Sequence, residues 1–215
     1  MSPLDDDKPA SLRGARRSPL TFEALEPRLL LNADVLGLDL ALDDHLSAGS
    51  DLLVRLFTEN RRTDARTEAV QRVEIVDAAA GGPDGVLAVR DLDAIERIAI
   101  SGGAGDDVLV IDHASFGGFE APPIDFIGGD GVDSLAVLSG GEVEWRVHGD
   151  GAGVAAAEDA RYGFTGIEAL LGAVDNMDRF VLESGGGVDA VDGGAGGFDV
   201  LDASDIAAGT VRFAA

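Results

Sequence analysis

From Val73 onward, short apolar runs alternate with turns that are rich in Gly and Asp. Runs of two to six residues with many β-branched side chains, and with no 3.6-residue period between them, are typical of short β-strands. We therefore predict twelve strands, at Val73–Val76, Val86–Val89, Ile95–Ile100, Val108–Ile111, Ile124–Ile127, Leu135–Leu138, Val143–Val147, Val154–Ala157, Ile167–Leu171, Phe180–Leu182, Val200–Leu201 and Thr210–Phe213.

Strands of this kind fit either a solenoid or a sandwich. Repeated Gly-Asp turns favour the solenoid, because each repeat then contributes a tight turn and one short strand to a stack. The expected fold class is all-β, a right-handed parallel β-solenoid (β-helix or β-roll) over residues 73–215.

Two nine-residue stretches carry the clearest motif. Gly102–Val110 reads GGAGDDVLV and Gly128–Ala136 reads GGDGVDSLA, so both fit G-G-x-G-x-D-x-U-x with U a large apolar residue. The motif resembles the calcium-binding nonapeptide of the RTX (hemolysin-type) repeat family. That resemblance implies Ca²⁺ held between stacked turns by the Asp carboxylate and by carbonyl oxygens of the Gly-rich turns, which are hard ligands suited to this ion.

Degenerate copies of the motif follow at Ala173–Val181, Ser184–Asp192 and Gly194–Asp202. The template Asp residues are 26, 45, 11 and 10 positions apart, whereas a regular β-roll would repeat every nine. The candidate metal residues are Gly102, Gly103, Gly105, Asp107, Gly128, Gly129, Gly131, Asp133, Asp178, Asp189 and Asp199.

The spacing predicts which of these Asp residues meet. One large coil would bring Asp107 and Asp133 together, with Asp84 in the same column of turns. Asp178 and Asp199 would stack, and Asp189 would lie on the opposite edge. The alternative is purely structural, because Asp also caps the N–H groups of turns without any metal.

The beginning of the chain has a second motif. Leu20–Asp34 reads LTFEALEPRLLLNAD and resembles the LEPR-XLL motif, a short segment near the N-terminus of long bacterial surface or secreted repeat proteins. We predict a disordered tail over residues 1–19, the LEPR-XLL-like segment over 20–45 with Phe22–Leu31 partly helical, and a linker or capping segment over 46–72. Within that last segment Asp51–Phe57 has helical or short-strand character, and Thr58–Thr67 reads as a charged loop.

Charge and composition narrow the range of partners. The chain carries 40 acidic and 16 basic residues for a net charge of −24, of which residues 73–215 account for −21. Such a field repels nucleic acid and attracts cations. The absence of Cys excludes a disulfide scaffold, and no apolar run is long enough for a transmembrane helix.

Three functional hypotheses remain open. The first is a non-catalytic structural or adhesive module, extracellular or at a bacterial cell surface, with calcium ions and an extracellular surface or polysaccharide as partners. The second is a β-helix enzyme acting on polysaccharide, for which Glu142 and Glu144 would be the carboxylate pair. The third is the N-terminal fragment of a much longer adhesin.

Overall fold

The computed structural model describes residues 37–41 (backbone), 49–62, 66–80 and 85–206. More than half of these residues lie in β-strands, and the only helical elements among them are two short 3-10 turns at Leu92–Ala94 and His113–Phe116. The strands are β1 (Gly37–Ala41), β2 (Asp51–Arg62), β3 (Thr67–Asp77), β4 (Val86–Asp91), β5 (Arg97–Ala104), β6 (Val108–Asp112), β7 (Ile124–Asp130), β8 (Ser134–Leu138), β9 (Val143–Gly149), β10 (Ala152–Ala157), β11 (Ala160–Thr165), β12 (Ala169–Leu171), β13 (Asp178–Leu182), β14 (Ala190–Asp192) and β15 (Val200–Asp202).

The strands form two mixed sheets. The eight-stranded sheet has the order β1-β5-β7-β11-β10-β9-β13-β15, and the seven-stranded sheet has the order β14-β12-β8-β6-β2-β3-β4. From β5 to β8, and again from β11 to β15, successive strands alternate between the two sheets. Each of these strands pairs in parallel with a strand of the same sheet that lies earlier or later in the chain.

The parallel register places equivalent side chains in columns. Leu52 lies opposite Leu109, Leu109 opposite Leu135, and Leu135 opposite Leu170. All four side chains are buried. This column of identical residues packs β2, β6, β8 and β12 on one another and fixes their register, because a slip by one residue would turn every leucine outward.

The aromatic side chains form a second part of the core. Trp145 of β9 stacks on Phe180 of β13 with ring centroids 5.5 Å apart and an interplanar angle of 15°, and the Phe164 ring lies 6.4 Å away. Trp145 and Phe180 are directly opposite in the parallel pair of β9 with β13. The strands that carry them alternate buried and exposed residues, which is the period of a half-buried strand.

Antiparallel strands interrupt both parallel arrays, so the expectation of a uniformly parallel fold is wrong in these places. In the seven-stranded sheet, β3 pairs antiparallel with both β2 and β4. In the eight-stranded sheet, β10 pairs antiparallel with both β9 and β11. Such pairs need only tight turns, whereas parallel neighbours need a long crossover.

Several sequence predictions fail at particular elements. The charged loop predicted at Thr58–Thr67 is wrong, because β2 runs to Arg62 and β3 begins at Thr67. Polar contacts with neighbouring strands stabilise this charged stretch. The Thr58 hydroxyl donates to Gln71 Oε1 at 2.9 Å, and the Arg61 guanidinium binds the Asp91 carboxylate at 3.0 and 3.2 Å. Strands β1, β11 and β14 were not predicted. The predictions for 1–19, Phe22–Leu31, Asp84 and Thr210–Phe213 concern positions outside the described residues.

Candidate functional site

The two complete motifs form adjacent turns at one edge of the fold. The turn after β5 ends in Asp107 directly before β6, and the turn after β7 ends in Asp133 directly before β8. The two turns are in register, with Gly103 opposite Gly129. The motif glycines lie at the ends of β5 and β7 or directly after them, at Gly102, Gly103, Gly105, Gly128, Gly129 and Gly131.

Close contact between the two turns requires glycine at position 129. Its φ is +120°, and a Cβ added there would lie 2.0 Å from the carbonyl oxygen of Gly103. Any other residue would clash with the backbone of the preceding turn and would also adopt an unfavourable conformation.

Carboxylates link the turns to one another along this edge. The backbone N–H of Asp107 donates to Asp133 Oδ1 at 2.8 Å, and the N–H of Asp133 donates to Glu168 Oε2 at 2.7 Å. The predicted meeting of Asp107 and Asp133 is therefore confirmed. We call Asp107, Asp133 and Glu168 the acidic column.

Glu168 was not among the predicted site residues, although the sequence carries a signal for it. Residues 163–170 read GFTGIEAL, with the same spacing of Gly, acid and Leu as GGDGVDSL at residues 128–135. Glu replaces the template Asp and Phe-Thr replaces Gly-Asp, so a search for Asp alone overlooks this turn. The longer Glu side chain bridges to the neighbouring turn in the same way.

A second carboxylate contact lies at the opposite edge. The N–H of Asp178 donates to Asp199 Oδ1 at 2.9 Å, so the predicted stacking of these residues is confirmed. Asp178 Oδ2 accepts from the N–H of Ala173 at 3.0 Å, and its Oδ1 accepts from the side-chain amide of Asn176 at 3.1 Å. Asp189 belongs to the other edge, as predicted, where its N–H donates to the Glu168 carbonyl at 2.8 Å.

Three of these Asp side chains are buried, which is costly for a charged group. Asp107 and Asp133 have no exposed surface, and Asp178 has 1%. Burial raises the pKa of Asp133, against a smaller lowering by the hydrogen bond from the Asp107 amide; the nearby Asp107, Glu168 and Asp106 carboxylates raise it further. Burial also raises the pKa of Asp178, while the bonds from Ala173 and Asn176 lower it.

Some of the buried oxygens have no hydrogen-bond partner. Among the described residues nothing donates to either carboxylate oxygen of Asp107 or to Asp133 Oδ2. Glycines make the room for these carboxylates. A Cβ on Gly102 would lie 2.3 Å from Asp107 Oδ2 and 2.6 Å from the Gly128 carbonyl oxygen, and a Cβ on Gly128 would lie 2.3 Å from Asp133 Oδ2 and 2.1 Å from the Gly166 carbonyl oxygen.

The unpartnered oxygens are hard donors of the type that Ca²⁺ prefers, and backbone carbonyls border the same space. The side chains alone do not form a cation site in the described part of the chain, where no three His, Asp or Glu residues cluster in a way that could hold a metal ion. A calcium shell of about six to eight oxygens would therefore draw mostly on backbone carbonyls.

The carboxylates considered for glycoside hydrolysis lie elsewhere. Glu144 binds Arg146, with Nε and Oε1 2.6 Å apart, and Arg146 also contacts Glu183 at 3.1 Å. This guanidinium holds Glu144 on the strand surface. The pKa of Arg146 is raised, chiefly by its hydrogen bond with Glu144, and the three side chains form an exposed ion-pair network.

Comparison with protein-family models, with curated proteins and with solved structures finds no match for this chain. Within the described residues, no helix has the length and apolar character needed to cross a bilayer.

The contacts predict opposite effects for two isosteric substitutions. In Asp133→Asn, Oδ1 can still accept from Asp107, and the new amide can donate beside the Gly166 carbonyl. We expect the free energy of unfolding at neutral pH to rise by about 1 kcal/mol, because a buried charge is replaced by a hydrogen-bonded neutral group. Asp178→Asn should instead cost about 2 kcal/mol, since both Asp178 oxygens already accept hydrogen bonds and an amide would face a donor.

Urea unfolding at neutral and at mildly acidic pH measures both effects. Because the pKa of Asp133 is raised in the folded state, the wild-type protein gains stability as the pH falls through that raised pKa towards the ordinary value of 3.8. The advantage of Asp133→Asn should therefore shrink with acidification. Equal losses from both substitutions at neutral pH would contradict this assignment.

Proposed function

We propose that the chain is a non-catalytic structural module of a secreted or cell-surface repeat protein, folded as a right-handed parallel β-solenoid with antiparallel insertions. The observation that carries the proposal is the acidic column, in which each turn donates a backbone N–H to a carboxylate of the next turn. Strands that alternate between two sheets and stack in parallel are the arrangement expected of solenoid coils. Parallel crossovers are almost always right-handed, which supports the handedness.

The extracellular or cell-surface location rests on the two sequence resemblances. The RTX-like turns and the LEPR-XLL-like segment at Leu20–Asp34 are both typical of secreted or surface-bound bacterial repeat proteins. A net charge of −24 supports a structural or adhesive role beside other polymers, because it keeps such a module soluble and prevents aggregation.

The enzyme alternative makes a different prediction. If the module is structural, incubation with pectate, alginate, chitin or cellulose should release no oligosaccharide detectable by chromatography, because the Glu144 carboxylate is engaged by Arg146. Release of product that Glu144→Gln abolishes would contradict the proposal and would favour a polysaccharide-cleaving enzyme.

Calcium binding is a second candidate function, favoured by the unpartnered oxygens of Asp107. Asp107 and Asp133, with carbonyls of their Gly-rich turns, would hold the ion at one edge. Asp178 and Asp199 are candidates at the other edge, and Asp189 lies apart from that pair. The ion would neutralise buried carboxylates that otherwise lack donors, and so stabilise the fold.

A calcium titration of the full chain tests this second function. Saturation at a hundredfold excess over Kd would add about 2.7 kcal/mol to the free energy of unfolding, so thermal unfolding should shift upward. Asp107→Asn should remove most of that shift. The control Asp159→Asn makes the same charge change on the exposed turn between β10 and β11, and this variant should keep the full calcium-dependent shift.

Magnesium distinguishes a site from general screening. Mg²⁺ requires a tight octahedral shell, which flexible carbonyl turns do not readily provide. Similar shifts with Mg²⁺ and Ca²⁺, or a calcium shift unchanged by Asp107→Asn, would mean that the acidic column binds no calcium.

A further inference from the structure

A groove of about 600 Å³ lies beside one end of β3. Three segments line it: the first part of β3, the chain that leaves β4, and the loop that enters β7. The lining residues that matter here are Glu68–Gln71, Leu92–Asp93, Ile95–Glu96 and Phe119–Pro123. None of these residues belongs to the acidic column or to the ion pairs of Arg146.

Strand β3 has an open edge along this groove. β2 pairs with β3 along its whole length, from Thr67 to Asp77. β4 pairs only with Arg72–Val76, because it ends at Asp91 opposite Arg72 and the chain continues as the 3-10 turn Leu92–Ala94, which lies beside β3 but adds no strand to it. Within the described residues, Thr67–Gln71 therefore has no strand on its second side. An unpaired edge of five residues is a template for an added strand.

The groove also offers apolar contacts. Val70, Leu92 and Ile95 are half-buried, and the Phe119 ring is 49% exposed. The opposite wall contains Pro122–Pro123, whose fixed φ angles hold it in place. A peptide lying in the groove would cover these side chains without first ordering that wall.

Four exposed carboxylates surround the apolar floor: Glu68, Asp93, Glu96 and Glu120. None of them forms an ion pair with another described residue. By contrast, nearby acids outside the groove are neutralised, as Asp91 is by Arg61 and Arg72. The groove therefore attracts a basic partner, and the net charge of −24 disfavours a second copy of this chain.

We propose that this groove binds an extended basic peptide of a partner protein, which adds as a strand beside Thr67–Gln71. Its Lys or Arg side chains meet the four carboxylates, and its apolar side chains, which alternate with them, pack on Leu92, Ile95 and Phe119. Strand addition supplies affinity through backbone hydrogen bonds, and the four carboxylates select peptides with basic side chains. The interaction is independent of calcium binding at the acidic column.

The test uses the full chain and a fluorescein-labelled probe peptide, Arg-Val-Arg-Val-Arg-Val-Arg, followed by fluorescence anisotropy. We expect binding that Glu96→Gln combined with Glu120→Gln weakens about fivefold, as two partly exposed charge pairs are lost. Glu142→Gln combined with Asp159→Asn removes the same net charge from exposed positions outside the groove and should change Kd less than about twofold. All four substituted positions are exposed, so both variants should fold, which circular dichroism checks.

A pair of modified probes tests the strand itself. Both keep every charge and side chain; one is N-methylated on the three Val amides and the other on the three Arg amides that follow a Val. Because alternate residues of an added strand direct their N–H groups to the edge, one of the two probes should bind more than about tenfold more weakly. In the wild-type complex, amide chemical shifts should change at Glu68–Gln71. Undetectable binding of the first probe, equal weakening by the two double variants, or unweakened binding of both N-methylated probes would each overturn the proposal.

Discussion

The hydrogen bond between the backbone N–H of one turn and the carboxylate of the next is the interaction on which the rest of this structure depends. It forms only if adjacent turns approach within backbone contact, which requires Gly128 and Gly129 to lack side chains. It also requires the Asp133 carboxylate to point inward, where it is fully buried. The strands that follow these turns are then held in register, and the leucine column can form behind them.

This arrangement separates two uses of acidic residues. Inside the turns, the carboxylates of Asp133, Glu168 and Asp178 accept hydrogen bonds from backbone donors. Of the six oxygens on the buried Asp107, Asp133 and Asp178 carboxylates, three are hydrogen-bonded. On the surface, acids without an ion-pair partner among the described residues, such as Glu96 and Glu120, contribute to the negative electrostatic potential around the protein. The structural role and the proposed recognition of basic peptides therefore depend on different carboxylates, and each can be altered without the other.

Much of the fold could be predicted from the sequence, because the Gly-Asp turns and the short apolar runs are local signals. The meeting of Asp107 with Asp133 follows from one coil length, and the stacking of Asp178 on Asp199 from two degenerate repeats. The strand at Thr58–Arg62 could not be predicted in this way, because cross-strand polar contacts and not local hydrophobicity stabilise it. Ala160–Thr165 has no continuous apolar run, but its buried residues Ala160, Tyr162 and Phe164 alternate with more exposed ones, a local signal that a search for apolar runs does not detect. Glu168 could not be predicted for a related reason. It accepts a hydrogen bond from the neighbouring turn, and Glu is not the residue type at the acidic position of the motif.

Equilibrium unfolding of Gly128→Ala, compared with Gly140→Ala, tests the central claim most directly. The backbone at Gly128 is compatible with any residue, but a Cβ there would lie 2.1 Å from the Gly166 carbonyl oxygen and would displace the Asp133 carboxylate; Gly140 has no atom within 4 Å of the same position. We expect Gly128→Ala to cost about 3 kcal/mol through this clash, and Gly140→Ala to leave stability unchanged or raise it by about 0.5 kcal/mol. Equal, small effects of the two substitutions would contradict the account, since the turns would then not depend on close packing around the buried carboxylates.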